Sequence, residues 1–186
     1  MKNLSSIVIC FIFSLQSCKK ENYTELIKTH ETNTKATYKK GRLFSSEVYD
    51  KNGQLDSKYL YDNGTVTKIY KYFPNQKVRS YSYLYKAPNH YTTTIYYENG
   101  KIHEEGEGDY FQSKSLYLRR GPWIFYSKSG EPYSIYTFIH DKKNEYIKGE
   151  ILFDTIKKKT IRNVIFNHPV LHKQEATQTV KLFNPK

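Results

Sequence analysis

The chain has 186 residues, 30 basic against 18 acidic, for a formal net charge of +12, and it carries 19 tyrosines. Its two cysteines, Cys10 and Cys18, both fall near the N-terminus, which excludes a disulfide framework in a folded domain. The length suits one domain, and the richness in Tyr, Ile, Val, Phe and Thr favours β structure over helix. Tyrosine is the main large side chain, an apolar ring with a polar tip, so the expected core is thin and the sheet extended or curled.

The chain opens with one charge, Lys2, then an apolar run from Leu4 to Leu15. That run is too short to cross a bilayer as a stable helix and has the length of a signal-peptide core. Leu15-Gln16-Ser17-Cys18 follows and resembles the lipobox of bacterial lipoproteins, with Gln16 departing from the small residue usual at its place. The resemblance implies a diacylglyceryl group on the Cys18 thiol and removal of residues 1–17 as a signal peptide. The competing reading is an ordinary secretory signal with a chance cysteine, and the charges of Lys19-Lys20-Glu21 directly after Cys18 stand against it. The implied partner is therefore a membrane, held through the lipid anchor on Cys18. Export argues against the nucleic acid that a basic chain would otherwise suggest. By resemblance to the sorting rule of Gram-negative lipoproteins, Lys19 favours the outer membrane; the leaflet stays open.

Residues 18–37 are polar and read as a tether, or as a short helix opened by a capping box at Asn22-Tyr23-Thr24-Glu25. From Tyr38 a turn register begins. Its glycine place falls at Gly41, Gly53, Gly64, Gln76 and Gly100, and the skipped turn lies near Ala87-Pro88-Asn89. Units such as Tyr49-Asp50-Lys51-Asn52-Gly53-Gln54-Leu55 and Tyr61-Asp62-Asn63-Gly64-Thr65-Val66 carry the Asn-Gly pair expected of type I′ hairpin turns. Between turns, apolar and polar residues alternate, the mark of a strand with one covered face. A period this short means one strand and one turn per unit. The expected fold is all-β, an antiparallel meander of repeated hairpins over residues 38–153, a single domain after the signal peptide and tether.

Past Gly100, the run Gly106-Glu107-Gly108-Asp109 reads as a bulge or loop. Gly121, Trp123, Tyr126 and Gly130 fall on the pattern Gly-x-Trp-x-x-Tyr-x-x-x-Gly, which resembles the bacterial variant of the MORN repeat. The earlier Tyr-x-Asn-Gly units resemble its second half. The resemblance spans roughly residues 38–135 and implies a sheet of successive hairpins without assigned catalytic residues. Many bacterial members are labelled antitoxins. Strands are expected at Tyr133–Ile139, Tyr146–Phe153 and Thr160–Phe166, with a basic turn from Asp154 to Lys159 and a break at Asn167-His168-Pro169. Residues 154–186 thus form C-terminal strands and a tail, with a last edge strand at Thr177–Phe183. Asp154-Thr155-Ile156 resembles the O-glycosylation signal of exported proteins of the Bacteroides group.

Catalytic patterns are sparse. There is no Gly-x-Ser-x-Gly elbow and no glycine-rich phosphate loop after a strand. His168 and His172 are four apart, but Pro169 opposes the helix that would align them, so they read as surface histidines rather than metal ligands. Glu104 and Glu105 are adjacent and so point to opposite faces of a strand, while Glu98, Glu105, Glu107 and Asp109 read as a solvated edge. No cofactor is implied. The expectation is a non-enzymatic binding or scaffold lipoprotein; the alternatives are an envelope hydrolase whose site is not visible and an immunity-type protein that binds a toxin. For binding, the expected face carries Arg79, Tyr81, Tyr83 and Tyr85, with Val78, Ser80, Ser82 and Leu84 covered by curling or by the segment from Tyr146 onward. The surrounding lysines favour an acidic protein or an anionic envelope glycan, bound in a salt-sensitive way.

Overall fold

The structure, a computed structural model, describes residues 22–154, 157 and 159–172. These residues form one sheet of twelve strands, each hydrogen-bonded only to its neighbours in sequence. The first six strands are β1 (Asn22–Lys28), β2 (Asn33–Lys39), β3 (Arg42–Tyr49), β4 (Leu55–Asp62), β5 (Thr65–Tyr72) and β6 (Val78–Lys86). The rest are β7 (His90–Tyr96), β8 (Ile102–Phe111), β9 (Leu116–Tyr126), β10 (Pro132–His140), β11 (Glu145–Asp154) and β12 (Lys159–His172). Every pairing is antiparallel, so this is an all-β hairpin meander.

The turn register marks real turns, but of two alternating kinds. At the end of the sheet where β1 starts, Lys40-Gly41 and Asn63-Gly64 have φ of 49° and 69°, and of 47° and 80°. Both central residues are left-handed, as a two-residue type I′ turn needs. At the opposite end, Asp50 N–H bonds Gln54 O and Gly53 N–H bonds Asp50 O, at 2.9 and 3.0 Å. The same pair of bonds recurs from Phe73 to Lys77, from Tyr97 to Lys101 and from Ser127 to Glu131. Gly53, Gln76, Gly100 and Gly130 take the one left-handed place, with φ of 78°, 63°, 84° and 94°. These are three-residue loops, a type I turn closed by a left-handed residue, so Asn52-Gly53 and Asn99-Gly100 are not the type I′ turns expected of them. Neighbouring loops at this end are also tied together. Gln76 Nε2 donates to Leu55 O, Lys77 Nζ to Glu98 O, Asn99 Nδ2 to Lys128 O and Lys101 Nζ to Ser129 O. The skipped turn at Ala87-Pro88 contains a cis peptide.

Four expectations are corrected. The tether gives way to strand at Asn22, and no helix forms there: β1 pairs with β2 over its whole length, with Tyr23 stacked on Tyr38 at 4.4 Å. The stretch Gly106–Asp109 is neither loop nor turn but lies inside β8. Its glycines answer to close approach, since a Cβ on Gly106 would lie 2.5 Å from Trp123 Cγ, and one on Gly108 would enter the Tyr117 ring. Asn167-His168-Pro169 does not end β12; the pairing jumps from Gly149–Ile165 to Ile147–Val170, a bulge on an edge strand where proline's missing N–H is harmless. Finally, the described part of the segment from Tyr146 covers neither face of the sheet. It extends the sheet in plane, and Ile161 and Ile165 of β12 are exposed.

Curling does the covering instead. The Tyr91 hydroxyl on β7 donates to Val66 O on β5, across β6. Gln112, in the 3-10 turn Gln112–Lys114 after β8, bonds both Gly64 O and Val66 N–H at 3.3 Å. In a flat sheet β5 and β8 would lie about 14 Å apart, so the sheet must bend inward here. The hollow is filled by Val48, Tyr59, Tyr61, Val66, Ile69, Tyr91 and Tyr110. Small residues on the same face, Ser46, Ser57, Ser82 and Thr93, leave room for those rings.

Candidate functional site

On β6 the alternation separates two environments. Ser82 is buried, with its hydroxyl 2.7 Å from that of Thr93, and Leu84 packs against the core. Tyr83 and Tyr85 point the other way and are 41% and 49% exposed; Tyr81 and Arg79 are half-buried. Val78, expected under cover, is exposed at the start of the strand. Tyr81 is ring-paired with Tyr70 of β5 at 4.9 Å and with Tyr83 at 5.9 Å, so the three rings form one row on the outer face. Lys68 lies directly across from Tyr83. The Tyr85 hydroxyl donates to Glu107 at 3.0 Å, and this bond is the main cause holding its ionisation above the usual phenol range.

The rest of the outer face repeats that chemistry. Tyr126 donates to Glu105 at 2.7 Å, and Tyr49 donates to Glu47 at 3.0 Å. Lys58 and Lys35 flank the Glu47 carboxylate at 2.9 and 3.6 Å. The hydrogen bond from Lys58 is the largest influence drawing Glu47 below its usual range. Acids on this face are therefore satisfied locally, by tyrosine or lysine.

A second group of charged residues is buried, and the sequence does not announce it. Asp109, 6% exposed, sits between His90 and His140. His140 Nε2 reaches Asp109 Oδ2 at 2.8 Å, while its Nδ1 accepts the Lys142 N–H at 3.3 Å. Both ring nitrogens are thereby engaged, fixing the tautomer with the proton on Nε2 and tying the β10–β11 turn to the end of β8. His90 approaches Asp109 and the Arg120 guanidinium together. Nearby, Arg119 pairs with buried Glu104 at 3.1 Å and lies over the rings of Trp123 and Phe138 at 4.8 and 5.1 Å. Burial pushes Glu104 above its usual range against the pull of Arg119. The Glu145 carboxylate, 1% exposed, accepts the Arg119 backbone N–H. A carboxylate that orients imidazole is one half of acid–base machinery. Here both His140 nitrogens are used internally, so the cluster acts as a staple between strands. Asp109 is thus no solvated edge; its partners come from β7, β9 and β10, too far along the chain for local spacing to reveal.

The repeat-motif residues each take a distinct place. Gly121 is left-handed at φ 66°, beside the bulge where β8 and β9 change register. Trp123 is fully buried over Gly106 and donates its indole N–H to Glu107 O at 2.7 Å. Tyr126 meets Glu105, and Gly130 closes a three-residue loop. His168 is exposed, and the His172 ring lies 5.4 Å from Phe138. Among the described residues, no group of three or more His, Cys, Asp or Glu is arranged to hold a metal ion. Cys18, Thr155, Ile156 and the stretch Thr177–Phe183 lie outside the described residues.

No family model matches the chain, and no curated protein does. Among solved structures, a DUF3836 family protein from Parabacteroides distasonis ATCC 8503 matches at 13% identity, covering 78% of this chain and 88% of its own, with a TM-score of 0.14. A likeness at that level decides neither fold nor function.

Proposed function

We propose that this chain is a lipid-anchored envelope protein that serves as a binding or scaffold module through the outer face of its sheet. The observation that carries this reading is the division of β6, with Ser82 and Leu84 turned to the core and the Tyr81, Tyr83 and Tyr85 side turned to solvent. Rigid aromatic rings with polar tips anchor a partner at low entropy cost. The Tyr70–Tyr81–Tyr83 row offers such rings in line. Lys68, Arg79 and Lys86 border them, while Glu105 and Glu107 are occupied by tyrosine hydroxyls. That balance favours an acidic partner, an acidic protein or an anionic envelope glycan. The lipobox at Leu15–Cys18 supports the address.

The test is a Tyr81/Tyr83/Tyr85→Ser variant, assayed against the partner isolated by pull-down from detergent-solubilised envelope. The expected result is a loss of roughly tenfold or more in affinity, with wild-type binding weakening as salt rises. A folded variant that binds as tightly as wild type overturns the placement.

A further inference from the structure

An antiparallel meander sends alternate turns to opposite ends, and the two ends of this sheet differ in charge. The end at which β1 starts carries Lys40, Lys114, Lys142 and Lys143 in its turns, against Asp141 alone. The Asp141 carboxylate is turned back on its own loop, accepting from Lys143 N–H, Asn144 N–H and the Tyr146 hydroxyl at 2.8 to 2.9 Å. None of those four lysines forms an ion pair among the described residues. The strand ends Lys39, Arg42 and Lys86 add charge, while Asp62 and the buried Glu145 each subtract one. Lys39, Lys40 and Arg42 also line an open cleft together with Asn22, the first described residue. At the opposite end the acids Glu31, Asp50, Glu98 and Glu131 sit among the turn lysines, two of which are capped by backbone carbonyls.

The geometry points to the basic end as a docking surface for an anionic phospholipid bilayer, on which the sheet stands with its strands running away from the membrane. The inference rests on the lipid-anchor reading of Cys18 for its orientation. From Cys18 to Asn22 the chain reaches at most about 14 Å even fully extended. The anchor is therefore held within that reach of Lys39 and Lys40, since Asn22 pairs with Lys39 and its side chain accepts the Lys40 N–H at 3.4 Å. The turn lysines have ammonium groups free to meet headgroup phosphates, and each basic residue near such a surface adds to the attraction. The opposite end is left facing away from the bilayer, and the outer tyrosine row, on a face of the sheet, points sideways from it.

The experiment uses the full chain carrying Cys18→Ser, which removes acylation, in co-sedimentation with phosphatidylcholine vesicles with and without phosphatidylglycerol. The apolar run of residues 4–15 contributes equally to both, so the difference reads charge alone. A Lys40/Lys114/Lys142/Lys143→Glu variant is compared with a Lys51/Lys77/Lys128/Lys157→Glu variant of identical net charge at the other end. The expected result is a preference for the anionic vesicles that falls roughly tenfold or more in the first variant and much less in the second. No preference for anionic vesicles, or equal losses in the two variants, overturns the docking surface. Incorporation of labelled fatty acid at Cys18 in the unsubstituted chain reads the anchor separately, so the two ideas fail in different ways.

Discussion

The tyrosines of the central core cluster and those of the outer face make different kinds of bond. On the inner face, Tyr59, Tyr61, Tyr91 and Tyr110 are buried, and the hydroxyls of Tyr61 and Tyr91 meet Ser46 Oγ and the Val66 carbonyl. On the outer face, Tyr49, Tyr85 and Tyr126 donate to carboxylates while Tyr83 stands open. One residue type thus builds both a core and a surface, and strand parity rather than hydrophobicity decides which. Inner rings hold the fold; outer rings, once their hydroxyls have satisfied the acids, leave part of their surface open to solvent.

The harshest test of that division is to remove the largest fully buried side chain. Trp123→Ala is expected to cost about 3–5 kcal/mol. Gly106→Val is expected to be comparably damaging, because its side chain needs the space the Trp123 ring occupies. Urea denaturation followed by circular dichroism reads both, and a loss under about 1 kcal/mol in either would dissolve the distinction between the faces.

Alkaline pH sharpens the comparison next. Burial pushes the Tyr59 and Tyr91 hydroxyls up to about 12 from 10.0, and the half-buried Tyr126 of the outer face, beside Glu105, is raised as far. A raised phenol binds its proton more tightly in the folded chain than in the unfolded one. The stability it contributes is therefore complete below pH 10, shrinks from there, and is gone above about pH 12. Tm measured at pH 8 and near pH 11.5 should fall by roughly 10 °C or more, alongside the tyrosinate absorbance of the inner rings. Inner rings that ionise near pH 10 in a still-folded protein would contradict this.

The smallest effect is the most discriminating. Tyr91→Phe removes the donor to the buried Val66 carbonyl and is expected to cost about 1–2 kcal/mol. Tyr83→Phe, on the open face, should lie within about 0.5 kcal/mol of wild type. Equal values would mean that the two faces are not energetically distinct.

The meander was legible because hairpin turns have local grammar. Gly41, Gly53, Gly64 and Gly100 mark left-handed backbone, and even Gln76 keeps the place and the conformation. The division of β6 was legible because parity is local too. What escaped were features set by distant partners. Gly106 and Gly108 looked like loop residues, since nothing nearby in sequence tells that aromatic rings of β9 lie over them. The staple joins His140 to Asp109 across 31 positions, and no motif spans that interval. β1 was missed because its alternation is of polar residues on an edge, where no buried face imposes an apolar pattern.

The loop-to-loop bonds at the end away from Asn22 bear on how the molecule comes apart. A sheet whose strands touch only their neighbours resembles a row of dominoes, each free to leave once the one beyond it has gone. The bonds from Gln76 to Leu55, Lys77 to Glu98, Asn99 to Lys128 and Lys101 to Ser129 each skip a strand pair, clasping every hairpin to the next. From β3 to β10 the chain is therefore stitched twice, once along the strands and once through their tips. Loss of one hairpin frees its clasps on both sides, which makes this span a single cooperative unit. β1, β2, β11 and β12 lie beyond the last clasp, and they are the strands that peel away first.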